Sequence, residues 1–200
     1  MQHATLNTPD APETPETQTR VIMDEPGRGR LEVWPVTADE NTLWMLLQDI
    51  FQGHWQHIRF GTMVPGAVWE IKAPNAPIRI DLLDGYLTVD FGAWHFHVCI
   101  GTFSGVSAEL AAQRRTARAE LYRLLNAQDA PKSWGLRLYT GAGDQQLTVF
   151  FPNPFLTDTD KRADQPDWSK LALWDSLRRD YLGLAPDPVD RSGKGFACGG

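Results

Sequence analysis

Residues 78–100, which read IRIDLLDGYLTVDFGAWHFHVCI, decide the fold of this chain. Apolar and polar side chains alternate along three segments of this stretch, and such alternation predicts half-buried strands. Between the segments lie Asp84-Gly85 and Gly92-Ala93, short turns of the kind that joins antiparallel strands. The sequence therefore predicts an antiparallel meander whose last three strands are at residues 78–83, 86–91 and 94–100.

The two short turns also determine which residues face one another across the strands. Because side chains alternate between the two faces of a strand, each row of neighbours points to one side. The rows expected on the polar side are Arg79–Asp90–His95, Asp81–Thr88–His97 and Leu83–Tyr86–Cys99. The other side carries the apolar residues and is expected to face the core.

Alternation and helical spacing predict further elements on either side of this stretch. Strands are expected at residues 31–36, 67–73, 134–140 and 146–151, and helices at residues 37–52, 107–126 and 167–182. The resulting order is β-α-β4-α-β2-α. Such a mixture of helices and antiparallel hairpins predicts the α+β class, with helices packed on one face of an antiparallel sheet.

One domain is predicted between two tails. The 200-residue chain contains 42% hydrophobic residues and eight tryptophans, enough apolar surface for a core within residues 21–183. Residues 1–20 are rich in Thr, Pro, Gln and Glu, a composition typical of a disordered tail. Residues 184–200 are rich in Pro, Asp and Gly and are expected to form an extended tail.

The net charge of −6 argues against nucleic acid or an anionic membrane as a partner, because both bind basic surfaces. No stretch approaches the roughly 20 apolar residues of a membrane span. Two cysteines and the lack of an export signal predict a cytoplasmic protein with reduced thiols. The sequence leaves the oligomeric state open.

His95, His97 and Cys99 occupy every second position of one predicted strand, so their side chains share one face. Imidazole and thiolate groups are ligands for zinc, and also for iron or copper. Residues two apart on a strand are separated by about 7 Å, which lets two of them reach one ion. The sequence therefore predicts a divalent metal site, with zinc as the first choice, His95 and His97 as main ligands and Cys99 beside them.

Other residues are needed to complete and orient such a site, because zinc takes three or four protein ligands. The additional ligands are expected among His54, His57 and Cys198. A hydrogen bond from an imidazole N–H to a neighbouring carboxylate would fix the ring tautomer. Asp81 and Asp90 are expected to orient the imidazoles in this way, and Thr88 is expected to lie beside them around the site.

The segment Trp94-His95-Phe96-His97 resembles the paired zinc-histidine strand of alpha-type carbonic anhydrases. The resemblance covers only these residues and implies that an H-x-H strand can hold zinc. If one coordination position were open, a bound water of lowered pKa would act in hydration or hydrolysis. A closed site would be structural, so the sequence leaves open whether the chain is an enzyme and assigns no catalytic residue.

A second interpretation stays open, because an antiparallel sheet commonly shows one polar face to water. The chain would then be a non-enzymatic protein-binding adaptor or a chaperone-like module. Its element order after Val36 resembles, in topology alone, the three-helix, five-strand plan of secretion-chaperone-like domains. Arg114, Arg115 and Arg118 give the predicted second helix a basic side, which would hold an anionic ligand or an acidic partner segment, or face solvent.

Overall fold

The computed structural model of the protein describes residues 20–193. Its strands are β1 (Val21–Glu25), β2 (Gly29–Val36), β3 (Arg59–Gly61), β4 (Met63–Val64), β5 (Ala67–Val68), β6 (Arg79–Leu83), β7 (Tyr86–Asp90), β8 (His95–Cys99), β9 (Thr116–Leu125), β10 (Pro131–Thr140) and β11 (Gln145–Phe150). Its α-helices are α1 (Glu40–Gly53), α2 (Ala108–Arg114) and α3 (Ala172–Leu182), and 3₁₀ helices span Trp168–Leu171 and Pro188–Arg191. None of the helices described in this range is long and apolar enough to cross a membrane.

Antiparallel pairing sorts the strands into three sheets. The large sheet has the order β1-β2-β9-β10-β11-β3, and the meander sheet has the order β6-β7-β8. The strands β4 and β5 form a small separate hairpin. The predicted α+β class with antiparallel sheets is confirmed. The structure adds the short strands β1, β3 and β4, which the alternation pattern does not predict.

The helix α1 forms where its apolar spacing predicts it. It begins at Glu40, later than the predicted start at residue 37, because the Asp39 side chain caps it by accepting a hydrogen bond from the Thr42 backbone N–H at 3.0 Å. Hydrogen bonding from Thr42 also lowers the pKa of the Asp39 carboxyl group. The residues that α1 buries follow helical spacing and are Leu43, Leu46, Leu47, Ile50 and Phe51.

One hydrophobic core contains side chains from the inner faces of the large sheet and the meander sheet, together with α1 and α3. The meander contributes Leu87, Val89 and Val98, which alternation assigns to this side. Phe51 of α1 meets Phe96 of β8 with ring centroids 5.2 Å apart, close to edge-on. This packing leaves the polar side of the meander on the outside of the molecule.

The predicted helix at residues 107–126 is wrong beyond Arg114. Thr116–Leu125 instead form β9, which lies between β2 and β10 in the large sheet. The Ala, Arg, Glu and Leu of this segment favour a helix in isolation, but pairing along both edges outweighs that preference. The strand alternation is hidden because Arg123 on one face and Tyr122 on the other are both buried.

Arg123 can be buried because carboxylates surround it. Its guanidinium pairs with Glu32 of β2 and with Asp190 of the last 3₁₀ helix. Asp190 is itself buried and accepts hydrogen bonds from Trp174 Nε1 at 2.7 Å and from Arg178 Nη1 at 2.8 Å. These contacts hold the chain that follows α3 against β2 and β9.

The predicted tails lie only partly within the described residues. Residues 1–19 and 194–200 lie outside them, so the N-terminal tail and the end of the C-terminal tail, with Cys198, stay predictions. The C-terminal segment is not extended throughout, because Pro188–Arg191 form a 3₁₀ helix that buries Asp190.

Removing the Arg123 guanidinium is expected to destabilise the fold strongly. In Arg123→Met the buried carboxylates of Glu32 and Asp190 lose a buried cationic partner and keep only Arg20 and Arg178, respectively, a defect that costs about 3–5 kcal/mol. The measurement is the free energy of unfolding in urea, followed by tryptophan fluorescence.

The matched control is Arg30→Met, which removes the same charge from an exposed ion pair with Asp129. Surface pairs of this kind contribute about 0–1 kcal/mol, so the unfolding midpoint should move little. Equal losses of stability in the two variants would contradict the structural role assigned to Arg123.

Candidate functional site

The meander sheet places its polar residues in the rows that the two turns predict. The observed rows are Arg79–Asp90–His95, Asp81–Thr88–His97 and Leu83–Tyr86–Cys99. The outward side of these three rows is called the histidine face below. The register is local, because two-residue turns join neighbouring strands and leave little freedom for a shift.

His95 and His97 lie on β8, an edge strand of the meander sheet, and both side chains are exposed. Their ring centroids are 4.9 Å apart, with the rings edge-to-face at 72°. Thr88 Oγ1 lies 2.8 Å from His97 Nδ1, and Thr88 itself is buried. When His97 Nδ1–H donates to this oxygen, the lone pair of Nε2 is available for a metal. The contact therefore prepares one imidazole as a ligand.

The two carboxylates of the face contact Arg79 rather than the imidazoles. Arg79 Nη1 lies 3.0 Å from Asp81 Oδ2, and Arg79 Nη2 lies 3.5 Å from Asp90 Oδ2. Asp90 Oδ1 also accepts a hydrogen bond from the Gly92 N–H at 2.8 Å. Both carboxylates therefore hold the Arg79 guanidinium, and Asp90 also stabilises the turn at Gly92. These contacts differ from their predicted role of orienting the imidazoles.

Cys99 belongs to the third row but is buried. Its Sγ donates to the Gly101 carbonyl at 3.5 Å, and its own carbonyl accepts a hydrogen bond from Thr116 Oγ1 at 3.0 Å. Burial raises the pKa of the Cys99 thiol, while the Tyr86 hydroxyl acts in the opposite direction. At neutral pH the residue is therefore a thiol, whereas metals bind the thiolate.

The predicted additional ligands His54 and His57 lie at the end of α1. His54 is the C-cap residue and is half-buried, and His57 follows in the next turn and is exposed. Burial lowers the pKa of His54, and the neighbouring His57 lowers it further. Both residues therefore lie outside the strands that form the histidine face. The third predicted ligand, Cys198, lies outside the described residues.

The predicted zinc site is wrong. Among residues 20–193, no group of three or more His, Cys, Asp or Glu side chains is arranged to hold a metal ion. A zinc site needs three or four such ligands around one point, and His95 with His97 supply two. The zinc-dependent hydration or hydrolysis that the sequence suggests therefore loses its basis.

The fold places the three arginines of the predicted basic helix side on two different elements. Arg114 ends α2, Arg115 is its C-cap, and Arg118 lies on β9. Arg118 pairs with Glu120, and its guanidinium carbon lies 3.7 Å from the centroid of the Tyr139 ring. These three arginines therefore do not form the single helical surface that the sequence predicts.

The histidine face has an apolar end and a basic end. Leu83, 77% exposed, lies beside Tyr86, whose ring meets that of Phe103 edge-on at 5.4 Å. Arg79 lies at the other end, and its side chain is also exposed. Such a surface suits a flat ligand with an apolar body and an anionic edge. The turns predict the place of Leu83 and Tyr86, but no sequence pattern points to Phe103, which follows the last strand of the meander.

The family of the chain is shown by its sequence. The model of a family of unknown function, DUF7676, matches residues 20–183. The chain belongs to the DUF7676 family. The matched region of this DUF7676 protein includes the whole histidine face and ends before the 3₁₀ helix that carries Asp190. No curated protein matches the sequence.

Two solved structures are loosely similar to this DUF7676 protein. A crystal structure of ChuX is 12% identical, and a structure described as the heme binding protein ChuX is 13% identical. Each comparison covers 74% of both chains with a TM-score of 0.44.

Cys99 is expected to react slowly with iodoacetamide in the native protein. Its burial and raised pKa keep the thiolate population low at pH values near 8, and the rate should rise as the pH is raised. The same thiol should be fully alkylated in urea, as measured by mass spectrometry of the peptide that contains it. Equally fast labelling of native and unfolded protein would contradict the buried position.

Proposed function

We propose that this protein binds an iron porphyrin such as heme on the histidine face, where an imidazole would ligate the iron. The observation that supports the proposal is a pair of exposed, neighbouring imidazoles on one face of the meander sheet. A porphyrin supplies four nitrogens to its iron, so the protein needs to add only one or two ligands. Two histidines that are too few for zinc are therefore sufficient for heme iron.

His97 is the better-supported ligand of the two. Its Nδ1 lies 2.8 Å from Thr88 Oγ1, a contact that orients the ring and leaves Nε2 for the iron. The His95 ring lies beside it, 4.9 Å away between centroids, and is also exposed. We therefore assign His97 as the residue that would ligate the iron and His95 as its neighbour on the binding surface.

The two ends of the histidine face match the two chemical parts of heme, an apolar macrocycle and a pair of propionate carboxylates. Leu83 and Tyr86 offer apolar contact at one end, and Arg79 offers a guanidinium for a carboxylate at the other. Asp81 and Asp90 hold Arg79 in place but also compete for it. Pairing of a propionate with Arg79 is therefore expected to weaken as salt is added.

Of the metals that the sequence suggests, iron is the one that this proposal retains. One of the two ChuX structures is described as a heme binding protein. The assignment for this chain rests on its own residues. When bound, an iron porphyrin supplies redox and small-ligand chemistry at its iron. The chain itself contributes an oriented imidazole and a surface that remains open to water on one side.

Titration with hemin tests the proposal, with protein expressed without a histidine tag. The wild-type chain is expected to bind hemin saturably and to shift its Soret band to that of histidine-ligated iron. His97→Ala should abolish most of this shift, because it removes the oriented imidazole, and His95→Ala should have a smaller effect.

The matched control is His57→Ala, which removes an exposed imidazole that lies outside the meander. This variant should bind hemin like the wild type. A spectrum that is the same in all three alanine variants, or a wild-type chain without saturable binding, would overturn the assignment.

Thr88→Val is expected to weaken hemin binding without removing any imidazole. Valine keeps the size and the strand preference of threonine but cannot accept the His97 Nδ1–H bond. Loss of such an orienting contact lowers metal affinity by about 10- to 100-fold. The measurement is the dissociation constant of hemin, with thermal unfolding as the check on folding. An unchanged constant in a folded variant would contradict the positioning role of Thr88.

The protein-binding adaptor stays a second prediction for the same face. The exposed Leu83 side chain gives that face an apolar contact point for a partner. A folded protein that binds no hemin but retains a specific protein partner, lost in Leu83→Asp, would favour this interpretation.

A further inference from the structure

A cavity of about 360 Å³ lies where the β1–β2 turn meets the β9–β10 turn of the large sheet. None of its lining residues belongs to the histidine face. Its charged lining residues are Arg28, Arg30, Asp129 and Lys132. Three cations and one carboxylate therefore surround a volume large enough for a small organic anion, in a chain whose net charge is −6.

Arg28 is held in the cavity wall by a partly buried network. Its guanidinium contacts Glu25 Oε2 at 3.4 Å and Gln145 Oε1 at 3.0 Å. Glu25 in turn accepts two hydrogen bonds, at 2.7 and 2.9 Å, from Arg137, which is fully buried in the large sheet. The position of Arg28 is therefore set before any ligand arrives, which reduces the entropy that binding would cost.

Arg30 contacts a carboxylate from the opposite turn. Its Nη1 lies 2.9 Å from both carboxylate oxygens of Asp129, and both side chains are exposed. The Asn126 side chain stabilises this turn. Its Oδ1 accepts hydrogen bonds from the backbone N–H groups of Gln128 and Ala130, at 2.9 and 3.0 Å. Asp129 thus occupies the position on Arg30 that an external anion would take, and an exposed pair of this kind is easily exchanged.

We propose that this cavity binds a small polyanion that carries phosphate or carboxylate groups. Arg28 and the half-buried Lys132 provide cations on the wall, and Arg30 becomes available when the ligand displaces Asp129. Charge-assisted hydrogen bonds from guanidinium groups provide the recognition. This site is independent of the proposed porphyrin site, because the two share no residue.

Isothermal titration calorimetry with inorganic pyrophosphate and, separately, with citrate tests the proposal on the full chain. Wild-type protein should bind at least one of the two saturably, and added salt should weaken the binding. Binding of pyrophosphate alone assigns a phosphate ligand, and binding of citrate alone assigns a carboxylate ligand.

Three variants and a control locate the binding. Arg30→Met and Lys132→Met should each weaken it by about tenfold, the loss that one charge-assisted hydrogen bond produces. Asp129→Asn should strengthen it, because the internal competitor for Arg30 loses its charge. The matched control, Arg179→Met, removes an arginine from an exposed pair with Asp180 on α3 and should leave binding unchanged.

Absence of saturable binding for both anions would overturn the proposal. An Asp129→Asn variant that binds no more tightly than the wild type, or an Arg179→Met variant that loses as much affinity as Arg30→Met, would overturn it as well. His97→Ala should leave anion binding intact, so failure of the porphyrin proposal and failure of this one are distinguishable.

Discussion

The buried Arg123 guanidinium is the constraint on which the rest of the fold depends. A charge that is taken out of water must be paired, and Arg123 finds its partners on β2 and in the last 3₁₀ helix. These ion pairs keep β9 beside β2 and hold the segment after α3 against both strands. The inner face of the large sheet is then complete, so the meander sheet contributes its apolar side to the core and leaves its polar side outside.

The number of ligands determines which metal centre an exposed sheet face can hold. A three-stranded meander sets its side chains in parallel rows, and neighbouring rows are separated by about 7 Å. Such spacing brings two imidazoles together but does not converge three or four ligands on one ion. The proposed iron porphyrin would supply four nitrogens of its own, so one imidazole oriented by Thr88 would be enough. The described residues of the face do not offer the three or four ligands that a bare zinc ion needs.

The histidine face and the basic cavity use arginines in the same way. Asp81 and Asp90 hold Arg79, and Asp129 holds Arg30. In each case an internal carboxylate keeps the guanidinium in position and competes with any external anion. An acidic protein can present ordered cationic groups in this way without exposing unpaired positive charge. The arrangement also predicts that the anion binding proposed for both places would weaken as the ionic strength rises.

The sequence by itself determined the last three strands of the predicted meander, their register and the rows that include His95 and His97, but not the fate of residues 67–73, of which only Ala67–Val68 form a strand, in a separate hairpin. Alternation and two-residue turns are local properties, so no distant part of the chain is needed to interpret them. Only the tertiary structure decided that residues 116–125 form a strand, because their composition favours a helix until β2 and β10 pair with them and distant carboxylates neutralise Arg123. Only the tertiary structure decided the ligand count around the histidines and the burial of Cys99, since both depend on which elements pack nearby.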